Sequence, residues 1–159
     1  GGRCQARRIH HTSLVATFAT LLALAAASAA SPLGRSESGR AIIVSARGAV
    51  EAPQRLLVVG CIHGNESAGI GIARRIEQLT PPKGVGVWII PSLNPDGVAA
   101  RTRGNSDGVD LNRNFPYRWQ PLGGLFDSGP AALSEPESRV ASQLIRRVRP
   151  PLSIWFPQP

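Results

Sequence analysis

The sequence is poor in several residue types, and each shortage excludes a class of protein. Its 159 residues include no methionine, two cysteines and a single lysine, Lys83. Two cysteines, one of them at position 4, cannot build the disulfide framework of a small secreted domain. Cys61 ends an apolar run and is predicted to be a small buried side chain. The net charge of +8 comes without basic runs interleaved with aromatic residues, so no nucleic-acid partner is predicted.

The longest apolar stretch lies near the N-terminus and has the pattern of a secretion signal. Three arginines within the first eight residues precede an alanine- and leucine-rich stretch, 14–27, and Ala27-Ser28-Ala29 supplies a small-residue cleavage site. The stretch is shorter than the roughly 20 strongly apolar residues of a membrane-spanning helix. We therefore predict a cleaved signal peptide over residues 1–31, no stable membrane insertion, and a secreted, periplasmic or cell-envelope location.

The remaining residues, 32–159, are expected to form a single incomplete domain. A length of 159 residues allows one domain. The chain begins with Gly1 rather than methionine and stops at Pro159 within an apolar run. We expect a partial or truncated product that carries the N-terminal part of a larger domain.

Short apolar runs alternate with helix-like segments after the signal peptide. The predicted strands are 41–46, 55–61, 85–90 and 152–156, and the predicted helices are 68–79 and 135–149. Two of the strands are apolar almost throughout, as in strands buried on both faces of a sheet. Ser134 is predicted as the N-cap of the second helix, with Glu137 completing a capping box. The alternation predicts a three-layer α/β/α fold around a mixed, mostly parallel sheet that is incomplete at the C-terminus.

A polar turn follows the second predicted strand, at the edge where α/β sheets place their sites. His63 and Glu66 are separated by two residues there and can converge on one metal ion, because imidazole nitrogen and carboxylate oxygen both suit zinc. The alternative is structural: His63 would be a turn residue, and Glu66 would offset the dipole of the following helix. The short pattern alone favours neither interpretation.

The longest stretch without periodicity, residues 92–126, carries further polar motifs. Asn94-Pro95-Asp96-Gly97 predicts a turn. Arg103 and the pair Asn112-Arg113 follow, and arginine grips carboxylates bidentately while asparagine adds neutral donors. Near a metal, such a pair suits the terminal carboxylate of a peptide, and another arginine can polarise a carbonyl group. A solvated, charged loop is the structural alternative.

Taken in order, these motifs resemble those of the zinc metallocarboxypeptidase family. The shared elements are His-x-x-Glu at 63–66, Asn-Pro-Asp-Gly at 94–97 and Asp-Leu-Asn-Arg-Asn-Phe at 110–115. Thr-Arg-Gly-Asn at 102–105 and Ser-Glu-Pro-Glu at 134–137 are most similar to bacterial murein-peptide amidases. The resemblance covers residues 33–159 and leaves only the signal peptide outside.

The resemblance implies a metal site and a substrate site. His63 and Glu66 match two of the family's three ligands to one zinc ion. Asn112 and Arg113 match the pair that holds the substrate carboxylate. The implied activity is zinc-dependent hydrolysis that removes C-terminal residues from peptides or cell-wall peptides with a free C-terminal carboxylate.

The resemblance also assigns the neighbouring charged residues. Arg103 matches the catalytic arginine that polarises the scissile carbonyl, with Arg101 as the alternative if the alignment slips by two residues. Asp96, Asp110 and Glu135 are interpreted as structural, in a turn, a loop anchor and a helix start respectively.

Two departures from the family pattern predict impaired or absent activity. The family's third zinc ligand is a histidine where this chain has Pro157. Outside the signal peptide the only histidine is His63, so zinc is expected to be weakly held, because catalytic zinc sites use three protein ligands. The family's glutamate base belongs to a part of the domain that follows Pro159.

Two other functions share these features. Proteins similar to aspartoacylase and succinylglutamate desuccinylase have His-Gly-Asn-Glu and Asp-Leu-Asn-Arg motifs, but the Asn-Pro-Asp-Gly motif at 94–97 and the signal peptide favour a carboxypeptidase. A non-catalytic peptide-binding remnant would keep Asn112 and Arg113 without the third ligand and the base.

Overall fold

The computed structural model describes residues 30–156 and contains a mixed five-stranded sheet with helices. The strands are β1 (Ser31–Arg35), β2 (Ala41–Gly48), β3 (Gln54–Val59), β4 (Val85–Ile90) and β5 (Leu152–Trp155), and the helices are α1 (Ala68–Ile76), α2 (Pro95–Ala100) and α3 (Pro136–Val148). The predicted signal peptide lies outside the described residues except for positions 30 and 31, and so does Pro157. No helix within 30–156 is long and apolar enough to cross a membrane.

The strand order is β1-β2-β4-β3-β5. Strand β3 pairs in parallel with β4 on one side and β5 on the other. The two N-terminal strands add the antiparallel pairings, β1 with β2 and β2 with β4. The sheet is therefore mixed, as predicted, with its parallel and antiparallel pairings evenly divided over residues 30–156. The carboxyl ends of β3, β4 and β5 meet at one edge, which is where the predicted metal motif follows β3.

Two apolar clusters lie on opposite faces of the sheet. On one face, Leu144 and Val148 of α3 belong to the same cluster as Leu57. On the other face, Ala73 of α1 packs with Val58. Neighbouring residues of β3 enter different clusters because side chains alternate across a strand. This arrangement confirms the predicted three layers.

Strand β1, Ser31–Arg35, is not among the strands predicted from the sequence. It forms an edge strand whose pairing with β2 shifts register between Pro32 and Gly34. Proline is tolerated on an edge strand, and a Cβ on Gly34 would press against the side chain of Val140. Pairing with β2 and contact with α3 therefore determine this segment more than its own composition does.

Helix α2 occupies a motif that was predicted to be a turn. Asn94 is its N-cap, and the Asn94 side-chain oxygen accepts a hydrogen bond from the backbone N–H of Gly97 at 2.8 Å. Pro95 takes the first helical position, where its missing N–H costs nothing. The motif carried a helix-start signal as well as a turn signal.

The predicted capping box of α3 is wrong. The helix begins at Pro136 with Glu135 as its N-cap, and no side chain caps it. Ser134 Oγ donates instead to Glu135 Oε1 at 2.7 Å. The Glu137 carboxylate is buried and accepts from the backbone N–H of Glu37 at 3.0 Å. Both side chains that the capping box required are therefore engaged in other contacts.

Candidate active site

Close backbone approaches fix the segment that carries His63. A Cβ on Gly60 would meet the carbonyl oxygen of Pro91 at 2.5 Å, and a Cβ on Gly64 would overlap the backbone of Gly97. The backbone N–H of Leu93 also donates to the Cys61 carbonyl oxygen at 2.8 Å. The turn after β3 is therefore held between the end of β4 and the start of α2.

Cys61 is buried, as predicted, with 1% of its surface exposed. Burial raises the pKa of its thiol to about 11. The thiol lies 3.1 Å from the carbonyl oxygen of His63, to which it donates. Cys61 is therefore a packing residue that supports the backbone of the site.

Asp110 fixes one nitrogen of the His63 imidazole. His63 Nε2 lies 2.9 Å from Asp110 Oδ1, and both side chains are buried. Burial alone would raise the pKa of Asp110, but hydrogen bonds from His63 and Arg103 outweigh it and lower the pKa. An ionised carboxylate only accepts hydrogen bonds, so Nε2 carries the hydrogen. The Nδ1 lone pair is consequently left for the other side of the ring.

His63 Nδ1 lies 3.0 Å from Glu66 Oε2. Two acceptors at this distance need a cation between them, either a proton or a metal ion. Burial disfavours the imidazolium and would lower the pKa of His63, but hydrogen bonds to Asp110 and Glu66 outweigh it, so the pKa is raised. An imidazole nitrogen and a carboxylate oxygen suit zinc, and metal-binding histidines usually donate their other ring N–H to a carboxylate, a backbone carbonyl or water. The donor set therefore fits two zinc ligands.

Glu66 faces this site rather than the start of α1. Helix α1 begins at Ala68 with Ser67 as its N-cap, and its first turn contains no acid. The second carboxylate oxygen, Oε1, lies 3.3 Å from Arg103 Nη1. These contacts do not support the interpretation of Glu66 as an acid that offsets the helix dipole.

Arg103 completes a ring of four charged or titratable side chains. Its Nε donates to Asp110 Oδ2 at 2.9 Å, and its Nη1 donates to Glu66. A guanidinium has five N–H donors, so three remain for a ligand. Arg101, in contrast, is exposed at the end of α2 with a backbone φ of 56°. The geometry places Arg103, not Arg101, beside the predicted metal ligands.

Asn112 and Arg113 lie next to the same aspartate. They belong to the 3₁₀ turn Leu111–Arg113, and Asp110 Oδ1 accepts from the backbone N–H of Asn112 at 2.9 Å. Both side chains are exposed and line an open cavity of about 320 Å³ together with Phe115. They are therefore accessible to a ligand and linked to His63 through Asp110.

Two residues in this region were not assigned to the site from the sequence. Asp110 was interpreted as a loop anchor; it has that role and also contacts His63. The expectation that a metal-binding histidine has a carboxylate partner could have indicated it. Phe126, whose ring lies against both Arg103 and Arg113, had no sequence signal.

The other two acidic residues interpreted as structural make structural contacts. Asp96 pairs with Arg40 at 2.7 Å, and Glu135 accepts from Asn105 at 2.7 Å. Glu135 also lies with Glu37 and Asp107 in a group in which one carboxylate oxygen of each residue lies within 4.8 Å of the others. This group has only oxygen donors and shares no residue with the ring around His63.

The sequence pattern of the zinc carboxypeptidases matches residues 25–155. The chain belongs to the zinc carboxypeptidase family. It is 32% identical over 141 residues to murein peptide amidase A of Escherichia coli K12, which covers 79% of this chain and 57% of that protein. This member of the family therefore spans little more than half the length of that relative.

Solved structures agree with this membership. The crystal structure of the murein-tripeptide amidase MpaA from Escherichia coli O157 matches with a TM-score of 0.70 and 28% identity, over 82% of this chain and 60% of that one. An aspartoacylase-family protein from Mesorhizobium loti matches with a TM-score of 0.58 and 27% identity, over 81% and 39% of the two chains. The carboxypeptidase-like α/β fold is thus confirmed, whereas the roles of the individual site residues stay predictions.

Proposed function

We propose that this protein is a zinc-dependent metallocarboxypeptidase of the murein-peptide amidase type. The observation that carries the proposal is the arrangement at His63, whose Nδ1 atom faces Glu66 while buried Asp110 holds the other nitrogen. His63 and Glu66 would hold one zinc ion. When bound, zinc supplies Lewis-acid activation of a carbonyl group and of water.

Arg103, Asn112 and Arg113 would bind and orient the substrate. The exposed pair Asn112 and Arg113 would hold the terminal carboxylate of a peptide, for which the arginine fork is well suited. The unused N–H groups of Arg103 would donate to the oxygen of the scissile carbonyl, where negative charge develops. The identity to a murein peptide amidase supports a cell-wall peptide as the substrate.

Hydrolysis by these 159 residues alone is expected to be slow or absent. Pro157 takes the position that the family resemblance assigns to the third zinc ligand, and a two-ligand site should hold zinc weakly. We therefore expect this chain to bind a ligand measurably even if it hydrolyses the ligand slowly or not at all. A protein that only binds peptides remains the second candidate, supported by the exposure of Asn112 and Arg113.

Binding of a small carboxylate tests the proposal without requiring turnover. At saturating zinc, hippurate should bind, whereas hippuramide, which lacks the carboxylate, should not. Arg113→Ala should weaken hippurate binding by about tenfold or more, because a charged hydrogen bond is lost. Arg74→Ala is the matched control, since Arg74 is an exposed arginine on α1 that does not line this cavity. Equal binding of the acid and the amide, or no effect of Arg113→Ala, would contradict the carboxylate site.

Export is a separate part of the proposal and rests on the signal-peptide pattern. Expression in a bacterium should give an extracytoplasmic protein whose N-terminal sequence begins near Ala30 or Ser31. A cytoplasmic protein that retains Gly1 would show that the pattern was misinterpreted.

A further inference from the structure

The aromatic ring of Phe126 lies against two arginines of the candidate site. Its centroid is 5.3 Å from Cζ of Arg103 and 5.7 Å from Cζ of Arg113. Both distances are within the roughly 6 Å range of cation–π attraction. One ring therefore connects the arginine proposed for the scissile carbonyl with the arginine proposed for the terminal carboxylate.

Backbone hydrogen bonds connect the segment that carries Phe126 to the predicted metal site. Phe126 ends the 3₁₀ turn Gly124–Phe126, and the N–H of Asp127 donates to the carbonyl oxygen of Gly124 at 3.2 Å. The Asp127 carbonyl oxygen accepts from the backbone N–H of Asp110 at 2.7 Å. Asp110 also holds His63, so the segment that carries the ring is tied to the metal site.

The two arginines depend on the ring to different degrees. Arg103 is also held by the carboxylates of Asp110 and Glu66. Arg113 is exposed, and its guanidinium makes no hydrogen bond or ion pair with any of residues 30–156. A long, exposed arginine loses rotamer freedom when it binds a ligand, and restricting it beforehand reduces that cost. Contact with Phe126 supplies such a restriction to Arg113.

We propose that Phe126 is a positioning residue that holds the Arg113 guanidinium ready for a ligand carboxylate. This inference rests on the proposed function, because it requires Arg113 to bind the carboxylate. Leu125 provides the contrast within the same turn, because it is 68% exposed and has no aromatic ring to attract a guanidinium.

Hippurate binding at saturating zinc tests this role with three variants of the full chain. Phe126→Leu should weaken binding by about two- to fivefold, the range expected for an exposed cation–π contact. Phe126→Trp should restore wild-type affinity, because indole attracts cations best. Leu125→Ala, the matched control, should leave affinity unchanged.

A spectroscopic readout reports the contact itself. In ¹H–¹⁵N spectra of arginine side chains, the Arg113 Nε–H signal should carry a ring-current shift in the wild type. Phe126→Leu should move this signal towards that of an exposed arginine such as Arg74. The Arg103 signal should retain the pattern of a carboxylate-bound guanidinium in both proteins.

The outcomes separate this inference from the proposed function. If Arg113→Ala weakens hippurate binding but Phe126→Leu does not, the inference is wrong and the carboxylate site stands. If Phe126→Trp binds as weakly as Phe126→Leu, cation–π attraction to the ring does not hold Arg113 and the inference is also wrong. If Arg113→Ala binds hippurate as the wild type does, both the carboxylate site and the role of Phe126 fail.

Discussion

Replacing Asp110 by asparagine should weaken zinc binding although Asp110 is not a predicted ligand. The carboxylate is fully buried and accepts from His63 Nε2, Arg103 Nε and the backbone of Asn112, each at 2.9 Å. Asparagine has nearly the same shape, and its oxygen can keep the contacts of Oδ1 with His63 and Asn112. Its amide group would then face Arg103 Nε, placing two donors opposite each other.

The variant therefore removes the negative charge behind the imidazole and releases Arg103. Loss of a carboxylate that supports a metal-binding histidine typically costs about 10- to 100-fold in metal affinity, which is about 1.4 to 2.8 kcal/mol. Competition with a chromophoric chelator would measure this change. Asp96→Asn is the control, because Asp96 is also a buried carboxylate paired with an arginine and contacts none of these residues.

Zinc affinity should fall for Asp110→Asn and stay at the wild-type value for Asp96→Asn. Equal affinity in all three proteins would show that Asp110 does not support the metal ligand. An equal loss in both variants would show that general destabilisation, and not the contact with His63, lowers the affinity.

Three further predictions test the fold and the site. Gly64→Ala should lower the free energy of unfolding by about 1–3 kcal/mol, because its Cβ would overlap Gly97; unchanged stability in denaturant would contradict this close contact. Burial would raise the pKa of Asp96, but hydrogen bonds from Ser38 and Arg40 lower it below 3.8. The charge of Asp96 therefore stabilises the fold above that pH. The loss in free energy of unfolding caused by Asp96→Asn should shrink as the pH falls through the pKa of Asp96 in the folded protein. A loss independent of pH would show that the ion pair with Arg40 does not stabilise the fold. Pro157→His should raise zinc affinity in chelator competition, because a third ligand strengthens a zinc site, and unchanged affinity would contradict the family alignment.

The sequence predicted the parts of the fold whose residues carry their own signal. Strand β4, Val85–Ile90, is apolar throughout and was placed at its observed limits. Strand β1 contains proline and glycine, which do not favour a strand. It forms because it pairs with β2, and this pairing cannot be read from the local composition. Asn94 and Pro95 suit both a turn and a helix start, so the local signal could not separate these structures.

The same distinction applies to the candidate site. The spacing of His63 and Glu66 indicated a metal site because the two ligands are close in sequence. Asp110 lies 47 residues from His63 in the sequence, and Phe126 is the last residue of the long segment without periodicity, 92–126. Their positions depend on how that segment folds back onto the strand end. Only the family resemblance related the segment to the site, and it left Arg103 and Arg101 as alternatives.

X-ray absorption at the zinc K-edge would show whether His63 and Glu66 form the zinc site. Protein loaded with one equivalent of zinc should show nitrogen and oxygen neighbours with the multiple-scattering signal of imidazole. That signal should be lost in His63→Ala. An oxygen-only environment in the wild type, as expected for zinc at Glu37, Asp107 and Glu135, or an unchanged spectrum in His63→Ala, would show that His63 is not a zinc ligand.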